Sequence, residues 1–304
     1  MRTKTKTKTK TKTNKMKHKG LDFALEGNTI KLNTTSNALL SAFLAKPKFS
    51  SRYSTSTRLF DEYSSDKRVA FCGGSMADLS SAAKGQRDIS GVLEQKAALA
   101  KSGALKALNT GMATTNRRRR VMSDLDGEWD MDRRWDIAPF FATQKQPMPV
   151  RALKLIAHFG ANCTASAKNL DKYGAFLAAL VEIIESRGVT VDLVCRIKAR
   201  QVTGASRKTV QADIQVKKCG EYISTQKLAT VFWTNYFRRA VFFALMAASE
   251  FVGEDVCSSL GKADHSDKVV KASSGVLEIS PSTDGRSLPD PELVIEKIKT
   301  ALMA

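Results

Sequence analysis

Residues 150–197, VRALKLIAHFGANCTASAKNLDKYGAFLAALVEIIESRGVTVDLVCRI, constrain the fold more than any other part of the chain. The apolar run at 153–159 predicts a central strand. Tyr173, Phe176, Leu177, Leu180, Val181 and Ile184 then recur at helical spacing over 170–187, and Gly188 closes that helix. VTVDLVCRI (189–197) alternates into a second strand. Strand, helix and strand in this order make a βαβ unit, so part of the chain is an α/β domain built around a parallel pair. The loop after the first strand carries Asn162, Thr164 and Ser166, three oxygen side chains at alternate positions. Open α/β sheets bind ligands outside the carboxyl ends of their strands, which makes this loop a candidate site.

The remaining elements are read from the same periodicities. Pro147 and Pro149 mark a boundary before the α/β core. TVQADIQV (209–216) predicts a third strand with Gln211, Asp213 and Gln215 on its polar face, and GVLEIS (275–280) predicts another. Residues 222–251 read as helix in two pieces, and Asp290 with Pro291 opens a final helix, PELVIEKIKTALM. Upstream, SNALLSAFLA (36–45) and SMADLSSAAKG (75–85) read as short helices with Ser N-caps, and 88–108 as a longer one interrupted by Gly91 and Gly103. Three segments follow: a disordered basic arm over 1–20, a helical and irregular region over 21–146 that wraps or precedes the main domain, and the α/β domain over 147–304.

Charge narrows the choice of partner. The formal net charge is +19, and nine of the positive residues precede the first acid, Asp22. They are Arg2 and Lys4, Lys6, Lys8, Lys10, Lys12, Lys15, Lys17 and Lys19, in a Lys-Thr repeat. Like charges two residues apart repel and nothing apolar is available to bury, so the repeat reads as a disordered arm. Each lysine that neutralises a phosphate releases a counterion, so such an arm favours nucleic acid; a solubilising tail is the alternative. No apolar run is long enough to span a bilayer, so no transmembrane segment is expected. Five scattered cysteines, Cys72, Cys163, Cys195, Cys219 and Cys257, form no C-x-x-C pair, which argues for a reducing compartment and against a zinc knuckle.

Residues 117–139, RRRRVMSDLDGEWDMDRRWDIAP, are the most unusual local composition. Arg117, Arg118, Arg119 and Arg120 suit phosphate contacts. Asp124, Asp126, Glu128 and Asp130 at alternate positions put one row of carboxylates on one face of an extended chain, a pattern that suits a hard divalent cation. The other reading pairs these acids with the flanking arginines while Trp129 and Trp135 dock on the body. Arg238 and Arg239 either bind phosphate or cap or pin their helix to neighbouring acids. His158 is either a satisfied strand side chain or a base within reach of Ser166. Walker A, G-x-G-x-x-G, H-E-x-x-H and G-x-S-x-G motifs are missing from the sequence, which argues against the common nucleotide-using and hydrolytic enzymes.

The order strand, oxygen-rich loop, helix, Gly turn, strand resembles the opening of a von Willebrand factor A-type domain, whose D-x-S-x-S loop binds a divalent cation. Asn162, Thr164 and Ser166 occupy the matching positions, with Asn in place of the charged Asp. Segments 117–140, 169–189 and 216–246 resemble a family of uncharacterised phage and prophage-borne proteins with a degenerate A-type core. That resemblance implies an α/β, A-type-like (Rossmann-like) sheet with flanking helices, acting in a host cytoplasm or a virion. The function it implies, together with the charge, is a non-catalytic interaction module for another protein, of phage or host, with nonspecific nucleic-acid affinity through its arm. The alternatives are a virion structural protein contacting packaged genome, and a metal-dependent enzyme using the Asp-rich segment.

Overall fold

The structure, a computed structural model, describes residues 14–49, 54–101, 119–122, 141–144, 151–159, 166–186, 188–200, 208–253, 262–263, 270–281 and 289–303. The chain begins with strands β1 (Asn14–His18), β2 (Leu21–Glu26) and β3 (Thr29–Thr35). Helices α1 (Ser36–Leu44), α2 (Ser54–Tyr63), α3 (Val69–Cys72), α4 (Met76–Ala83) and α5 (Ser90–Lys101) follow, then β4 (Arg119–Met122) and β5 (Phe141–Gln144). Next come β6 (Arg151–His158), α6 (Ala167–Ser186), β7 (Val189–Arg200) and β8 (Thr209–Lys217). Helix α7 (Thr225–Val231), the single turn α8 (Thr234–Tyr236), a π-helical turn (Phe237–Val241) and α9 (Phe242–Val252) precede β9 (Lys262–Ala263), β10 (Val270–Ser273), β11 (Val276–Ile279) and α10 (Pro291–Met303).

The principal sheet is mixed, in the order β1-β2-β3-β8-β7-β6-β11-β10, with β9 paired to β7. Its centre is the βαβ unit expected from the sequence: β6 and β7 run parallel from Arg151↔Val189 to His158↔Arg196, with α6 as the crossover. β8 pairs antiparallel with β7 and parallel with β3, while β11 lies parallel to β6. Three strands from the first 35 residues therefore complete the same sheet, and the expected boundary at 147 does not divide the fold. The reason is legible in LDFALEGNTIKL: Leu21, Phe23, Leu25, Ile30 and Leu32 alternate around a two-residue turn, with Glu26 opposite Thr29.

Part of the expected disordered arm, residues 14–20, is ordered into the sheet. Residues 14–18 pair antiparallel with β2, and the connection is the two-residue turn Lys19-Gly20, with φ of 50° and 78°. Positive φ at both central positions is the turn that matches strand twist, and Gly20 supplies one of them without strain. The hairpin is held at its end by Glu250, which meets His18 Nε2 at 3.0 Å and Lys19 Nζ at 3.2 Å. Residues 1–13 lie outside the described residues.

Alternation gives the sheet one apolar face. Phe23, Leu32, Ile214, Val191, Leu193, Leu155 and Leu277 are all buried there in a single core with Leu39, Phe43, Phe176, Leu177, Phe243 and Ile298 from the helices. Tyr173 on α6 ties two strand ends together, its hydroxyl donating to the carbonyls of His158 and Ile279 at 3.1 Å each. Caps follow the sequence closely at α4, where Ser75 and Asp78 form a reciprocal capping box. At α1 the cap is Thr35, one residue ahead of the expected Ser36. Among the described residues no helix is long and apolar enough to cross a membrane.

Arg239 is the largest fully buried side chain, with 0% exposure. It donates to Asn235 Oδ1 at 2.6 Å, to the carbonyls of Ser65 and Gly74 at 2.9 Å each, and to the carbonyl of Tyr63. Arg238 lies over the Phe71 ring, 4.0 Å from its centroid, and donates to the Phe71 carbonyl. The pair thus pins its helix as one sequence reading held, but chiefly to backbone carbonyls rather than to acids; Asp66 reaches Arg239 only at 3.6 Å. Gly174 marks a second close approach, where an added Cβ would sit 1.9 Å from the Phe232 carbonyl oxygen. Because backbone cannot swing aside as a flexible side chain does, Gly174→Ala is expected to destabilise the fold by about 1–3 kcal/mol, read as a lower urea midpoint. An unchanged midpoint would contradict the packing of α6 against residue 232.

Candidate functional site

The other face of the sheet carries the polar residues, and strand register sets them in rows. Asn33, Asp213, Arg196 and His158 stand side by side across β3, β8, β7 and β6. The next row is Thr35, Gln215, Val194, Ile156 and Glu278. Arg196 grips Asp213 with two bonds, Nε to Oδ1 at 2.7 Å and Nη2 to Oδ2 at 2.9 Å. This geometry, with Glu278 3.6 Å away, raises the Arg196 pKa above its usual value, the bond to Asp213 being the main cause. Glu278 also meets His158 Nε2 at 3.4 Å.

A cleft of about 550 Å³ opens on this face. Among the described residues its walls include Lys17 and Asp22 from the first hairpin, Asn33, Thr34 and Thr35 from β3, and Ala38 from α1. Lys154, Val194, Arg196, Asp213, Gln215 and Lys218 complete them. The volume lies in the range of ligand pockets. Since β3 and β8 run parallel, the cleft is at their carboxyl ends, and α1 begins at its rim with Thr35 Oγ1 accepting from the Ala38 amide at 3.2 Å. A helix of nine residues starting here adds the positive end of its dipole.

Arg196 and Asp213 neutralise each other, which among the described residues lining the cleft leaves Lys17, Lys154 and Lys218 with one acid, Asp22. All three lysines are exposed, and among the described residues none has an ion-pair partner. Lys217 shows the contrast one residue away: it is 2% exposed and bonded to Glu185 at 2.7 Å. The cleft is therefore an anion-attracting concavity whose charge is available to a ligand.

The sequence places the site elsewhere. Ser166 is exposed and its hydroxyl accepts from the Asn169 amide at 3.2 Å, so it caps α6. It follows β6, which runs antiparallel to β8, so the chain leaves β6 in the direction opposite to the carboxyl ends of β3 and β8. His158 meets Glu278 and not Ser166, which does not support the base reading. Asn162 and Thr164 lie outside the described residues, as do Asp124, Asp126, Glu128, Asp130, Arg117 and Arg118. Arg119 and Arg120 form part of β4, opposite Gln144 and Thr143 of β5. Lys4, Lys6, Lys8, Lys10 and Lys12 also lie outside; Lys15 and Lys17 are in β1, and Lys19 is in the turn beyond it. Among the described residues no group of three His, Cys, Asp or Glu side chains is placed to hold a metal ion. The cleft itself was missed because its lysines come from three distant segments; only the polar face of β8 signalled it.

Residues 31–301 match a family described as a domain of unknown function, DUF7192. The chain belongs to this family. The match begins inside β3, so the family segment holds Lys154, Arg196, Asp213 and Lys218, whereas Lys17 and Asp22 precede it. No curated protein and no solved structure matches the chain.

Burial pushes the His158 imidazole below its usual 6.5, outweighing the opposing pull of Glu278. A depressed histidine makes its full contribution above that usual value and loses it as the pH falls, since the unfolded chain then binds the extra proton. Acidification from about pH 7 to about pH 5 is accordingly expected to lower the melting temperature of the wild type more than that of His158→Gln. Parallel melting curves for the two proteins would contradict the burial of a neutral imidazole.

Proposed function

We propose that this chain is a non-catalytic binding module that holds nucleic acid nonspecifically through its phosphates, at the cleft and along the Lys-Thr arm. The observation that carries the reading is the set of three lysines, Lys17, Lys154 and Lys218, without an ion-pair partner among the described residues, around one concavity at a helix N-terminus. Lys17 belongs to the strand that continues directly from the Lys-Thr repeat, so arm and cleft share one run of charge. The same lysines suit an acidic protein surface. Nucleic acid is the better match because residues 2–15 contain no apolar side chain for a protein partner to bury.

The likeness of segments 117–140, 169–189 and 216–246 to phage-borne proteins supports a phage genome or its transcripts as the source of the ligand, in a host cytoplasm or a virion. The A-type likeness rests on β6, α6 and β7, and it supports binding rather than chemistry. A protein partner of phage or host origin fits the same module through the sheet's carboxyl edge.

The test is binding to labelled DNA and RNA across a salt series. The arm deletion should stop at residue 13, because removal of 1–20 takes β1 from the sheet. The full chain is expected to lose affinity steeply with salt, and Lys17→Ala/Lys154→Ala/Lys218→Ala to reduce the log–log slope by about 2–3. An unchanged slope in that variant would remove the cleft from the interface, and no binding to either nucleic acid at moderate salt would overturn the reading.

A further inference from the structure

Lys218 ends β8 and lines the cleft, and the segment after it is a tight turn. The Glu221 amide donates to the Lys218 carbonyl at 3.1 Å, the Lys218 amide donates to Glu221 Oε2 at 2.9 Å, and Gly220 has φ 78°. Such a turn keeps the Cα atoms of residues 218 and 221 within about 7 Å. One more residue adds about 3.8 Å, so the next Cα lies within about 11 Å of that of Lys218. That residue is Tyr222, 93% exposed where the other large apolar side chains exposed among the described residues reach at most 56%.

We propose that Tyr222 is a base-stacking platform beside the cleft, and that the preferred ligand is single-stranded nucleic acid. The inference rests on the phosphate-binding reading above and adds the strand class. Phosphates alone do not separate one strand from two, whereas an aromatic face beside a cationic groove holds an unpaired base and has nothing to stack on in a closed duplex. The turn fixes the backbone from Lys218 to Glu221, and with it the side of the cleft on which Tyr222 leaves the chain. The hydroxyl is not needed for stacking, which separates this role from hydrogen bonding.

The experiment measures affinity of the full chain and of Tyr222→Ala, Tyr222→Phe and Tyr222→Trp. The probes are a labelled thymidine oligomer, a blunt duplex of equal length, and polyphosphate, which has charge but no bases. Tyr222→Ala is expected to lose about tenfold on the single strand, with its salt slope, duplex binding and polyphosphate binding unchanged. Tyr222→Phe and Tyr222→Trp should keep wild-type affinity. A Tyr222→Ala variant that binds the single strand as tightly as the wild type would sink the stacking platform while leaving the phosphate reading intact. Equal losses on all three probes would also sink it. A wild type that binds none of the probes would end both readings together.

Discussion

Everything in this molecule depends on a sheet whose two faces differ in chemistry. Alternation along β3, β8, β7, β6 and β11, broken only by a bulge between β7 and β8 near Leu193, sends Leu32, Ile214, Leu193, Leu155 and Leu277 into the helical layer. The same period sends Asn33, Asp213, Arg196, His158 and Glu278 to the other side. A slip of one residue in any pairing would reverse both sets, so the burial that fixes the register also fixes the polar rows. The cleft is a by-product of that register plus a turn at each of its ends.

The N-terminal half is bound into this arrangement by a buried guanidinium. Arg239 sits in the π-helical turn Phe237–Val241 and collects carbonyls from residues 63, 65 and 74. Those carbonyls belong to connections around α2, α3 and α4, where helix ends leave acceptors without intrahelical partners. One charged side chain satisfies them together, and its five donors in a planar fork suit the task better than an ammonium. The π turn fits the same logic, since widening one turn changes where consecutive side chains point. Loss of this hub would leave several buried carbonyls unpaired, a heavier cost than loss of one apolar contact.

Much of the central fold was legible because each element carried its own signal. The parallel pair around α6 followed from Tyr173, Phe176, Leu177, Leu180, Val181 and Ile184 flanked by apolar strands. Asp290 with Pro291, and Ser75, announced two helix starts through caps. The first hairpins were hidden by composition: the Lys-Thr repeat looks disordered, yet Lys19-Gly20 is a hairpin turn and Leu21, Phe23 and Leu25 alternate beyond it. The site was less legible than the fold. Sequence placed it after β6, on Asn162, Thr164 and Ser166, from the rule for open parallel sheets. The same rule holds at β3 and β8, which the chain brings together from residues 180 apart, and no local pattern reveals that pairing.

On the proposed reading, the carboxyl end of β3 and β8 holds the ligand, with the arm as its extension. Amide hydrogen exchange of the full chain, with and without a single-stranded oligonucleotide, tests this most directly. Slower exchange is expected at 19–21, at the first turn of α1 over 36–38, and at 218–222, where amides lie at the rim of the cleft. Protection confined to residues before 14, or gathered at 160–166 beyond β6, would contradict it.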